Sequence, residues 1–182
     1  MTASTEARVS PLAGWTLRFA AASTLPARFA IRELPFTTQI NLRGDASDKA
    51  VAAAVSGALR LGPDEWMFIA DGGDVAVLEA ALRGTHHSVV DVAASRTVIE
   101  LAGADARAVL AKGCALDLHT TVFGADSCAQ TLLAKAQVIL HCAGEGLVFH
   151  LYVRNSYADY LASWLVDAAA ETAASRVAFG LT

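Results

Sequence analysis

Two stretches of the chain share one order of parts. INLRGDASDKAVAAAV (40–55) and IELAGADARAVLAKG (99–113) each run from alternating apolar residues, through a glycine and an acid, into a helical pattern. Alternation at period two marks a strand, and apolar residues at i, i+3 and i+4 mark a helix. A strand–helix unit used twice constrains the fold more than any single motif. In the first half, Thr37–Arg43 reads as a strand and Gly44-Asp45 as a turn. Asp48–Leu59 reads as a helix with Val51, Ala54, Val55, Ala58 and Leu59 on one face. Glu65–Ala70 is a short strand closed by Asp71-Gly72-Gly73. Asp74 is the N-cap of a helix through Leu82, Gly84 follows its end, and His86–Val92 is a strand.

The second half repeats this grammar. Arg96–Ala102 is a strand and residues 104–112 a helix stopped by Gly113. Ala136 to Val153 is apolar enough to suggest a membrane span, but Gly144-Glu145-Gly146 breaks it into a hairpin. Leu147–Val153 then leads through Arg154-Asn155 into a helix, with Ser156-x-x-Asp159 as a capping box. Tyr157, Tyr160, Leu161, Trp164, Leu165 and Ala168 follow at helical spacing. The expected fold is α+β: tandem ferredoxin-like strand–helix units, with helices packed on a mainly antiparallel sheet. Residues 1–22, with Trp15 as their one large anchor, are expected to form a flexible arm. Residues 23–182 are expected to be a single domain of two similar halves, about 35–92 and 93–170.

Of the 182 residues, 54% are hydrophobic and 18% charged, which suits a folded core and excludes a disordered chain. Net charge is −4, and only Lys49, Lys112 and Lys135 are lysines, with no basic cluster to hold a nucleic acid. Arg18 interrupts the apolar run Leu12–Ala22 where a signal peptide needs its greasy centre. The odd cysteines Cys114, Cys128 and Cys142 lack Cys-x-x-Cys spacing and suit free thiols of a cytoplasmic protein.

Candidate chemistry is sparse. Cys114, His119, Cys128, His141, Cys142 and His150 contain only one adjacent pair, His141-Cys142, whose side chains point to opposite faces of a strand. No metal site is expected. There is no Gly-x-Ser-x-Gly, His86-His87 read as solvated, and Cys114 follows a helix C-terminus, the wrong end to activate a thiol. Gly72-Gly73 and Gly144-x-Gly146 do not continue as phosphate-binding loops. Asp64-Glu65 flank a strand, and Asp91 is expected to face solvent or Arg96. Arg96, Arg107 and Arg154 are either surface charges or contacts to another subunit. Trp66, Tyr152, Tyr157 and Tyr160 read as core, and Trp164 as core or as an anchor for a second chain. The residues alone point to a subunit or binder with no catalytic, cofactor or metal site in this chain.

LGPDEWMF (61–68), VDVAASRTVIELAGADARAVLAKGCALDLH (90–119), CAQTLLAKAQVIL (128–140) and YVRNSYADYLASWLVDAA (152–169) resemble the gamma subunit of heterotetrameric sarcosine oxidase; PFTTQINLRGD (35–45) adds the family's first strand and turn. The resemblance implies an aminomethyltransferase-like, folate-binding fold. It also implies a complex that oxidises sarcosine to glycine, releasing hydrogen peroxide and formaldehyde or 5,10-methylenetetrahydrofolate. FAD, FMN, NAD and tetrahydrofolate would sit in alpha and beta partners and zinc in a delta partner, leaving this subunit cofactor-free. Candidate contacts in the matching blocks are Arg96, Lys112, Asp117, His119, Lys135, Arg154 and Tyr157, and self-association of the isolated chain is expected. The alternative is a stand-alone tetrahydrofolate-binding or aminomethyltransferase-like protein, which needs a pocket acid such as Asp91 or Glu100. A third reading is a regulatory module.

Overall fold

The structure, a computed structural model, describes residues 8–23, 28–69, 74–144 and 146–178. A 3-10 turn at Ala13–Trp15 runs into helix α1 (Thr16–Ala22), and strand β1 (Ala30–Leu34) follows. Strand β2 (Gln39–Gly44) turns into α2 (Lys49–Ala54), capped where the Asp48 carboxylate accepts from Ala50 and Val51 N–H. Then come β3 (Leu59–Arg60), β4 (Glu65–Ile69), α3 (Val75–Ala81), capped by Asp74, and β5 (His87–Asp91). The second half contains β6 (Arg96–Ala102), α4 (Ala106–Ala111), β7 (Cys128–Leu133), β8 (Ala136–Ala143), β9 (Val148–Arg154) and α5 (Asn155–Ala178).

Two antiparallel sheets result, one in the order β3-β4-β2-β5 and the other β1-β6-β9-β8-β7. In the first, β2 lies between β4 and β5. In the second, β6 lies between β9 and β1. The two orders match strand for strand if β6 corresponds to β2, β9 to β4 and β1 to β5. The ferredoxin-like pattern is therefore present twice. In the second copy the closing strand comes from the beginning of the chain, and β7 is an added edge strand.

The sheets stack face to face through Met67, Leu59, Val98, Ile139 and Tyr152, flanked by Leu34, Leu61 and Ile69. Opposite faces look outward to helices, as period-two strands allow. Ile40, Leu42, Trp66, Phe68 and Val89 meet Val51 on α2 and Leu78 on α3. Ile99, Leu101, Leu140, Phe149 and Leu151 meet Phe19, Val109, Leu110, Leu161 and Leu165 from α1, α4 and α5.

Several expectations are revised. The α2 helix ends at Ala54, with Val55 as its cap, and Leu59 lies in β3, buried between the sheets rather than on the helix face. Ala58 lies between the two and packs with the α2 side. Residues 1–7 of the expected arm lie outside the described residues, as do Ala70 and Asp71-Gly72-Gly73. From Leu12 onward that segment is no loose arm, because Leu12, Trp15 and Phe19 are buried in the larger core. The buried face of α5 is Ala158, Leu161, Ala162, Leu165, Ala168 and Ala169, which turns Tyr157 and Tyr160 outward. Two alanines a turn apart let the helix approach the sheet closely, where two tyrosines would hold it off. The Asp159 carboxylate, expected to cap α5, instead accepts the Trp15 Nε1–H at 2.8 Å.

Candidate interaction surface

The reactive side chains are dispersed by the sheet. Cys142 and His141 are neighbours on β8, yet Cys142 is buried in the helix-side core while His141 faces the other way. Burial raises the Cys142 thiol against the pull of Arg107, and burial pushes Cys128 up to about 11. Among the described residues no group of three or more His, Cys, Asp or Glu is placed to hold a metal ion. Asp91 does not meet Arg96, since its carboxylate accepts the Ala93 N–H at 2.8 Å. Glu100 sits in a row across the five-stranded sheet. Arg32 donates to it through Nε at 2.6 Å and Nη2 at 3.1 Å, and His150 Nε2 lies 3.3 Å away. The Arg32 hydrogen bond does most to hold this carboxyl below its ordinary range. The next ring in the row, His141, is lowered by burial and by His150.

The seven candidate contacts fall into two groups. Arg96 and Arg154 are directly opposite each other across β6 and β9, and Tyr157 follows on the first turn of α5, 46% exposed. Lys112, Asp117, His119 and Lys135 lie on the segment after α4 and on the β7–β8 turn. The Lys112 end, at Ala168, is separated from the first group by about half of α5, roughly 20 Å at 1.5 Å per residue. Lys112 is partly used inside the chain, where Nζ donates to the Ala168 carbonyl at 2.8 Å and Glu171 at 3.0 Å. Asp117 accepts the His119 N–H, and the His119 ring lies 2.8 Å from the Thr121 hydroxyl. Lys135 is exposed beside Ala134, whose N–H donates to Gly113 O.

Two features were not visible in the sequence. Arg107, a possible surface charge, is an internal clamp. It donates to the carbonyls of Leu118, Phe123 and Gly146, and its guanidinium lies over the Phe149 ring. The second feature is a groove beside the Arg96 group, about 170 Å³, where Val9, Phe36 and Ala94 meet Arg96 and Asn155. Phe36 is exposed and has φ of 59°, a left-handed conformation rare for a bulky residue. Trp164 is partly buried over Gly113, where an added Cβ would lie 2.6 Å from its ring, so it belongs to the core. Neither Asp91 nor Glu100 lines this groove, the small cavity between Arg96 and Arg154, or the open depression at Arg43, Asp64 and His86. No helix among the described residues is long and apolar enough to cross a membrane.

Known proteins resemble this chain over nearly its whole length. The model of the sarcosine oxidase gamma subunit family matches residues 58–171. The sarcosine oxidase subunit gamma of Arthrobacter sp is 36% identical, and that of Corynebacterium sp. (strain U-96) 35%; each alignment covers 96% of both chains. Among solved structures, the heterotetrameric sarcosine oxidase from Corynebacterium sp. U-96, in complex with pyrrole 2-carboxylate, contains a chain that superposes with a TM-score of 0.83 at 31% identity. That match covers 91% of this chain and 96% of that one. The glycine cleavage system aminomethyltransferase T from Bartonella henselae shares the fold at a TM-score of 0.59 and 18% identity. It covers 82% of this chain and 48% of that one.

Proposed function

The chain belongs to the sarcosine oxidase gamma subunit family, and from that premise we propose that it serves as the cofactor-free structural subunit of a complex that oxidatively demethylates sarcosine to glycine. The partners in this reading are alpha and beta subunits carrying FAD, FMN, NAD and tetrahydrofolate, with a zinc-bearing delta subunit. The methyl carbon leaves as formaldehyde or as 5,10-methylenetetrahydrofolate, and oxygen becomes hydrogen peroxide. Free, partly or wholly buried thiols accord with a cytoplasmic complex.

The observation that carries this reading is the near end-to-end superposition on a chain of a heterotetrameric sarcosine oxidase. Physical chemistry gives such a subunit a task. Flavin oxidation of an amine needs a preorganised site from which water is excluded, and a route that keeps a reactive imine from hydrolysing early. A rigid chain can enclose and brace larger subunits without touching the reacting atoms. The Arg96–Arg154–Tyr157 group and the neighbouring groove are the surface we assign to that contact, since arginine and tyrosine are enriched at interfaces.

Co-expression with alpha and beta subunits tests the reading. A stable complex burying more than about 2,000 Å² is expected. A monodisperse monomer that ignores those partners, or an isolated chain that turns over sarcosine, would overturn it.

A further inference from the structure

We propose that the niche between Arg96 and Arg154 is a carboxylate-binding site, with the Tyr152 hydroxyl as its third donor. Arg96 and Arg154 stand directly opposite each other in the β6–β9 ladder. Like charges in that position repel and destabilise a sheet. Among the described residues no carboxylate lies within ion-pair distance of either. By contrast, Arg28, Arg32 and Arg43 are each paired, with Asp105, Glu100 and Asp64. Arg96 is half-buried, and burial, followed by Arg154, lowers its pKa. Glu65 attracts Arg96, but its Oε1 is already held by the Asn41 amide at 2.8 Å. Among the described residues, Arg96 Nη1 donates to the neutral Ser95 hydroxyl, at 3.4 Å, and to no carboxylate.

The cavity between the two arginines is about 50 Å³ and is also lined by Gln130, Gln137 and Tyr152. Tyr152 is 1% exposed, and among the described residues its hydroxyl has no hydrogen-bond partner. Buried hydroxyls almost always have a partner, so an unpartnered one beside two cations calls for an acceptor. The two guanidinium forks can only donate, and the phenol has a proton to donate beside them. They match the two oxygens of a carboxylate and would repel a metal ion. The volume admits the end of an acid rather than a whole cofactor, for which pockets of about 300 Å³ and more are usual. The carboxylate comes either from a small organic acid or from an Asp or Glu of a neighbouring subunit. The second source rests on the subunit role proposed above.

The full-length chain can be melted in acetate and in chloride of equal ionic strength, as wild type, R154Q, Y152F and R43Q. The same four proteins are then titrated with alpha and beta subunits. If the site takes a free acid, acetate raises the wild-type and R43Q melting temperatures but not those of R154Q or Y152F. If it takes a partner's side chain, acetate is silent, and R154Q and Y152F weaken assembly by at least about tenfold while R43Q does not. In either case R154Q in chloride melts no lower than wild type, because it relieves a repulsion. The site is overturned if R154Q and Y152F behave as wild type in both arms. It is also overturned if R154Q melts lower while keeping the acetate response. Should R154Q not fold, Y152F decides alone. Should even the wild type fail to assemble, the subunit role fails and the acetate arm judges the site.

Discussion

The two ferredoxin-like halves use the same strand order and reach it differently. The four-stranded half is contiguous, since β2, α2, β3, β4, α3 and β5 follow one another along the chain. Its helices have six and seven residues, and eight buried side chains form its outer core among the described residues. The five-stranded half has a 24-residue helix and an outer core of 26. Its closing strand is β1, which precedes it along the chain and fills beside β6 the place that β5 fills beside β2 in the first half. Ser10 and Thr97 both donate to the Glu33 carboxylate, tying the incoming segment to β6. A repeat can thus be complete in space while being permuted in sequence, and the chain's beginning belongs to its second half.

The sharpest attack on this comparison is at the incoming segment. Phe19→Ala removes a side chain buried against the five-stranded half and should destabilise the protein by about 3–5 kcal/mol in urea unfolding. A loss under about 1 kcal/mol would mean that the segment is not integral to that core. The next test uses the glycines that occupy matching places in the repeat. At Gly103, φ is +120° and an added Cβ would lie 2.2 Å from Arg28 O, in the strand lead-in unique to this half. At Gly44 the nearest contact is the Val51 side chain at 3.1 Å. Gly103→Ala should therefore cost about 3 kcal/mol or more, and Gly44→Ala about 1 kcal/mol or less. Equal melting temperatures for the two variants would break the comparison. Arg107→Met, which leaves the Leu118, Phe123 and Gly146 carbonyls without their donor, should cost about 2–3 kcal/mol. No cross-tie of this kind joins α2 to its sheet among the described residues.

The smallest effects concern pH and have opposite signs in the two halves. Glu100 is depressed in the folded state, so its stabilisation is present above the ordinary carboxylate range and fades as pH falls through its lowered value. His87 is raised, chiefly by the hydrogen bond to Glu79, so its contribution is present below the ordinary histidine value and lost as pH rises through the raised one. Glu100→Gln should flatten the acid limb of a stability–pH profile by about 1 kcal/mol or less, because Arg32 is largely exposed. His87→Gln should flatten the fall in stability between the ordinary histidine value and the raised one. Chemical denaturation across pH reads both, and a Glu100→Gln profile parallel to wild type would remove the ion pair from the account.

Much of the fold was legible in the residues. The residues mark β6 to both ends, Asp74 as a cap, and Gly144 and Gly146 as the hairpin, because each is a local signal of period, cap or turn. β1 was missed, since Arg32 and Glu33 leave an edge strand with little alternation. α1 was missed because its burial depends on α5 lying beside it. The candidate site was less legible. Arg96 and Arg154 were both named, but residues 58 apart in sequence become neighbours only through register.

The order of amino acids by itself determined the strand–glycine–helix units, their repetition and the family. These depend on side-chain period and backbone preference within a few residues. Tertiary structure alone decided that β1 closes the second sheet, that Arg107 clamps three carbonyls, and that two arginines face each other beside an unpartnered tyrosine. Those outcomes depend on which distant groups share space, where burial and charge are set by neighbours the local sequence does not contain.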